Sequence, residues 1–133
     1  MLGERSLEET WSMLANDESS VLIDVRTRAE WQFVGVPDLS SVGKEVRLVE
    51  WTTFPSGAEN PDFIRDAASG LSPDQDVLII CRSGVRSKSA AVLLASEGLT
   101  STYNVVAGFE GNLGPNGHRS GGWKHEGLPW RQS

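Results

Sequence analysis

The chain has 133 residues, 38% of them hydrophobic and 23% charged, which is enough for one globular domain with a real core and too few for two. A formal net charge of −6 argues against a nucleic-acid partner, and no apolar run reaches the length of a membrane span. The amino terminus lacks the basic-then-apolar pattern of a secretory signal, and one cysteine allows neither an internal disulfide nor a cysteine-rich zinc site; the expectation is a single domain over 1–133, cytoplasmic and without a membrane or nucleic-acid partner.

In chain order, Ser6-Leu7-Glu8-Glu9 has the form of a capping box, and Leu7, Trp11 and Leu14 follow at helical spacing, predicting an amphipathic helix that ends near Asp17. Val21–Val25 predicts the first strand. Thr27-Arg28-Ala29-Glu30 is a second capping box, opening a short helix with Trp31 and Phe33. Val46–Trp51 reads as the next strand, and polar 52–60, with Pro55 and Gly57, as a loop. Trp51 and Phe54 leave that strand at its carboxyl end, where they either wall a site or cap the core. Asn60-Pro61 opens another helix, running to Ala68.

The informative stretch is Asp76–Gly98. Val77–Ile80 is a continuous apolar, β-branched run and reads as a buried strand. Cys81 follows at once. From about Ser87 the apolar residues recur at helical spacing, and Gly98 is a helix stop. The lone thiol therefore sits between a strand and a helix, where ligands bind in open α/β sheets. The helix start, a nest of loop N–H groups, Arg82 and Arg86 would all favour the thiolate, the reactive form of the side chain. The competing reading is a buried structural cysteine, which has no need of the residues CRSGVRS.

Tyr103–Val106 predicts a further strand, Phe109–Leu113 a short helix, and Gly114–Gly122, with four glycines and a proline, a flexible surface loop. Trp123 and Trp130 are expected to pack the tail onto the core. His118 and His125 are the only histidines; neither has the local signature of a Cys–His pair, and two histidines alone make a weak metal site. Strands alternating with helices imply an α/β domain whose sheet is mostly parallel and covered on both faces.

Three motifs in order resemble those of the rhodanese (thiosulfate sulfurtransferase) family: Leu22-Ile23-Asp24-Val25-Arg26 with Glu30-Trp31, then Cys81-Arg82-Ser83-Gly84-Val85-Arg86-Ser87, then Tyr103-Asn104-Val105-Val106-Ala107-Gly108-Phe109. The glycine and tryptophan pairs near the carboxyl end also suit that family, so the resemblance covers most of Val21–Trp130. It implies a three-layer fold with about five strands and helices on each side. It also implies Cys81 as nucleophile, the loop from Arg82 through Ser83, Gly84, Val85 and Arg86 to Ser87 as substrate cradle, and no metal or organic cofactor. The expected reaction moves sulfane sulfur from a small anionic donor such as thiosulfate, or from a persulfide donor, to a thiol, cyanide or a sulfur-relay protein. Asp24, with Arg26, is expected to stand behind the loop and hold its arginines; the alternative is a surface ion pair. The chain departs from the family at Gly35-Val36-Pro37-Asp38-Leu39, where the usual turn carries a histidine. Two rival functions use the same residues. A non-enzymatic carrier or interaction module would share the fold. A cysteine phosphatase would need five residues between cysteine and arginine, and only four separate Cys81 from Arg86.

Overall fold

A computed structural model describes residues 3–53 and 55–132. Five strands form one parallel sheet: β1 (Gly3–Arg5), β2 (Val21–Asp24), β4 (Arg47–Leu48), β5 (Val77–Ile80) and β6 (Thr102–Val105), in the order β1-β6-β5-β2-β4. The central strand is β5, buried along its whole length, which is why its sequence is apolar without alternation.

Alternate residues of β2 and β5 feed two separate cores. Leu22, Leu78 and Ile80 pack with Leu14 of helix α1 (Leu7–Asn16) and with Phe109 and Trp123 on one face. Ile23, Val25, Val77 and Ile79 pack on the other face, under helices α3 (Phe63–Ala68) and α4 (Val85–Ser96), against Phe63, Ala67, Ala90, Ala91 and Leu94. Helix α2 (Arg28–Phe33) follows β2 at the carboxyl edge of the sheet.

Both capping boxes form. The Glu9 amide donates to Ser6 Oγ at 3.1 Å and the Ser6 amide to Glu9 Oε1 at 2.9 Å; Thr27 and Glu30 make the same exchange. Helix α4 closes with the paired bonds of a Schellman turn, from the Gly98 amide to the Ala95 carbonyl and from the Leu99 amide to the Leu94 carbonyl, Gly98 taking φ 106°.

Several boundaries differ from the sequence reading. Strand β1 adds an edge by pairing with β6, a long-range partner with no local signal. Only Arg47–Leu48 of Val46–Trp51 pairs in the sheet. Helix α3 starts at Phe63 because Asn60 Oδ1 accepts the Asp62 amide in a turn instead of capping a helix. Helix α4 starts two residues earlier than expected, at Val85. The short helix expected at Phe109–Leu113 and the loop at Gly114–Gly122 are instead an antiparallel hairpin, β7 (Gly111–Leu113) and β8 (Arg119–Gly121). Its glycines permit the backbone approach that masks a strand in the sequence. A second small sheet pairs β3 (Val36–Pro37) with β9 (Trp130–Arg131), so the altered turn after Gly35 clips the tail to the domain. Trp123 is fully buried as expected, whereas Trp130 is 38% exposed and covers Gly35 and Lys124. Trp51 lies edge-on to Phe63 at 4.9 Å and belongs to the core; Phe54 is outside the described residues. No helix among the described residues is long and apolar enough to cross a membrane.

Candidate active site

Parallel pairing in register, Asp24 beside Ile80, brings the ends of β2 and β5 to one edge of the sheet. Cys81 leaves β5 there, 1% exposed. The loop turns so tightly that Gly84 takes φ 107° and its amide points back at the sulfur, 3.1 Å from Sγ. The amides of Arg82, Ser83, Val85 and Arg86 donate to no protein acceptor among the described residues, so the loop carries unpaired donors at the start of a 12-residue helix.

The loop is held from three directions. From below, Ser87 Oγ lies 3.2 Å from Sγ and donates to Asn104 Oδ1, while Asn104 Nδ2 donates to the Gly84 carbonyl at 3.2 Å. Asn104 on β6 thus fixes the residue whose amide meets the sulfur. From the hairpin side, the Phe109 amide donates to the Cys81 carbonyl at 2.8 Å, and the Glu110 and Gly111 amides to the Arg82 carbonyl at 2.9 and 3.2 Å. Gly108, at φ 64°, is required for that approach: a Cβ there would lie 2.5 Å from the Cys81 carbonyl oxygen.

The third hold is Glu30 on α2. Arg86 gives it two parallel bonds, Nη1 to Oε1 at 2.7 Å and Nη2 to Oε2 at 2.9 Å. The same carboxylate accepts the Thr27 amide and hydroxyl, so the capping residue of α2 is also the counter-ion of the Cys81 loop. Burial pushes the Glu30 carboxyl up, but Arg86 and the Thr27 donors outweigh it and hold its pKa below the ordinary 4.5. The Glu30 bonds, together with the nearby Cys81 and Asp24, raise Arg86 further above its ordinary value against the opposing effect of burial.

Asp24 does not hold the loop arginines. It is bound to Arg26, which donates from Nη2 to Oδ2 at 2.7 Å and from Nε to both oxygens, with both side chains at 0% exposure. The pair is therefore neither a brace for Arg82 or Arg86 nor a surface ion pair. Arg26 Nη2 continues to the Gly35 carbonyl at 2.7 Å, and its guanidinium stacks 4.2 Å from the Phe109 ring centroid. Arg82 is exposed and makes no ion pair among the described residues. Glu30 and Asn104 are the positioning groups the sequence reading missed. Glu30 carried a signal, in the capping box and the Glu30-Trp31 motif, that points to its helix and not to its partner 56 positions away.

Residues 2–133 match the family model described as the STR4 middle domain. The crystal structure of Rv0390 from M. tuberculosis is 46% identical in sequence and superposes with a TM-score of 0.91, 98% of each chain being covered. An uncharacterized protein of Rickettsia conorii, RC0915, is 36% identical over 125 residues, 92% of each chain. The thiosulfate sulfurtransferase GlpE of Actinobacillus succinogenes is 25% identical over 122 residues, 92% of this chain and 84% of that one. The sheet order, the cysteine at the β5–α4 junction and these matches together place the chain in the rhodanese-like family, as a member of its STR4 middle domain group.

Proposed function

We propose that the chain is a sulfurtransferase that carries sulfane sulfur as a persulfide on Cys81. The observation that supports this most is the buried Cys81 sulfur at the strand–helix junction, with the Gly84 N–H 3.1 Å from Sγ and neighbouring loop amides that no protein group accepts among the described residues. Free amide donors at a helix start suit a single added sulfur carrying negative charge. The Cys81 thiolate attacks the outer sulfur of thiosulfate; the S–S bond of the donor breaks, sulfite leaves with its electron pair, and a Cys81 persulfide anion remains. An acceptor thiolate or cyanide then attacks the terminal sulfur and releases the Cys81 thiolate. The cycle is two-step covalent catalysis with ping-pong kinetics.

The arginines divide the work. Arg86 spends its planar fork on Glu30 and orients the loop. Arg82, exposed and unpaired, is the cation that meets an incoming anion. This division also disfavours phosphatase chemistry, in which the loop arginine must present its fork to a tetrahedral oxyanion.

Mass spectrometry after exposure to thiosulfate tests the reading. The expected result is a gain of one sulfur on Cys81, absent in Cys81→Ser. A wild-type protein that gains no sulfur from thiosulfate or from a persulfide donor would overturn it.

A further inference from the structure

One cavity beside the loop has no part in the chemistry above. It has a volume of about 390 Å³ and is lined by Val34, Glu110, Arg119, Lys124, His125 and Trp130. Both of its walls are tied to the Cys81 loop. On one side Glu30, one helical turn before Val34, holds Arg86. On the other, the Glu110 amide donates to the Arg82 carbonyl, and the Lys124 amide to the carbonyl of Phe109, whose own amide holds Cys81.

The lining concentrates positive charge in a chain of net charge −6. Lys124 Nζ donates to the Val34 carbonyl at 3.0 Å and lies 4.0 Å from the Trp130 ring centroid; Arg119 Nη1 donates to the Gly111 carbonyl at 2.8 Å. These partners are neutral, so they fix the cations in place without cancelling their charge. Among the described residues no carboxylate lies within ion-pair distance of Arg119, Lys124 or His125, and Glu110 is the one acid in the lining. Cations pre-positioned by neutral groups beside an apolar wall form a site for an anion on a carbon chain. The space exceeds what a five-atom donor anion needs and falls in the range of small-molecule sites, roughly 300–1,000 Å³.

We propose that this cavity is the acceptor subsite: it binds the carboxylate end of a low-molecular-weight thiol of about tripeptide size, whose sulfur reaches the persulfide on Cys81. The inference rests on the sulfur-transfer reading. In the step it serves, the acceptor thiolate forms a bond to the terminal sulfur, the bond between that sulfur and Cys81 Sγ breaks, and the electron pair returns to Cys81 as thiolate. The acceptor leaves as a persulfide anion, and no proton, oxidant or reductant is consumed.

The test uses Cys81 persulfide preloaded from thiosulfate and two probes, glutathione, which carries two carboxylates, and neutral 2-mercaptoethanol. The wild type should discharge to glutathione faster. In Arg119→Gln the glutathione to 2-mercaptoethanol rate ratio should fall about tenfold, the worth of one charge-assisted contact of about 1.4 kcal/mol. Arg119→Lys, which keeps the charge, should restore most of the ratio, an outcome a purely structural role for Arg119 would not produce. An unchanged ratio in Arg119→Gln overturns the subsite while leaving the sulfur-transfer reading intact. So does a wild type that discharges to both thiols equally, which would point to a protein acceptor. Failure of the wild type to load any sulfur overturns the underlying reading and this proposal with it.

Discussion

Two arginine–carboxylate pairs stand near each other at the carboxyl edge of the sheet, and they do different things. Asp24–Arg26 is sealed at 0% exposure and spans two residues of one strand end; it ties β2 to the Gly35 carbonyl and the Phe109 ring. Glu30–Arg86 keeps 20% and 26% exposure and joins two helices 56 positions apart. A sealed pair is held by what surrounds it, and removing one partner strands a charge. A half-open pair can be lost at modest cost in stability, yet it sets where the Cys81 loop lies. The first pair is a matter of folding, the second of where the Cys81 loop lies.

The largest effect should come from the sealed pair. Asp24→Ala leaves the Arg26 guanidinium buried without a counter-charge and should cost about 3–5 kcal/mol, read from urea denaturation. A loss no greater than that of an exposed pair would erase the contrast between the two sites.

Glu30→Gln sharpens it from the other side. Glutamine keeps the cap of α2 but not the charge opposite Arg86. We expect a loss of about 1–2 kcal/mol, between the exposed and buried cases. Persulfide formation should fall by one to two orders of magnitude, as for a nucleophile misplaced by about 1 Å. Full activity in this variant, measured by single-turnover loading, would assign Glu30 to the helix alone.

The pH dependence follows from the same carboxylate. Its folded-state pKa lies below the ordinary 4.5, so its contribution is complete above that value and is lost as the pH falls below it through the folded-state pKa. Between pH 6 and pH 3.5 the wild type should therefore lose more stability than Glu30→Gln. Parallel stability curves would show that Glu30 is not the group responsible.

The smallest change in stability belongs to Arg82→Ala. The side chain is exposed and unpaired, so unfolding should shift by no more than about 0.5 kcal/mol, while the thiosulfate KM rises several-fold and the single-turnover rate at saturating donor holds. A drop in that rate with unchanged KM would move the positioning role from Arg86 to Arg82.

The sequence by itself was enough for the features whose causes lie within a few residues. Ser6 with Glu9 and Thr27 with Glu30 announce helix starts because each cap is closed by a residue three positions on. Val77–Ile80 announces a buried strand because all four side chains must leave water, and the residues after it place Cys81 at the strand–helix junction. What the tertiary structure alone decided is partner choice. Asp24 ends β2 and Glu30 sits six residues on, in α2, and neither stretch says which arginine each carboxylate takes; the fold gives Arg26 to the first and Arg86, on α4, to the second. The same holds for the Asn104 bond to Gly84, the pairing of β3 with β9, and the glycine-rich hairpin that reads as a loop until its two strands meet. A hydrogen bond between residues far apart in the chain depends on distances that the intervening fold sets, and those distances leave no pattern in either short stretch of sequence.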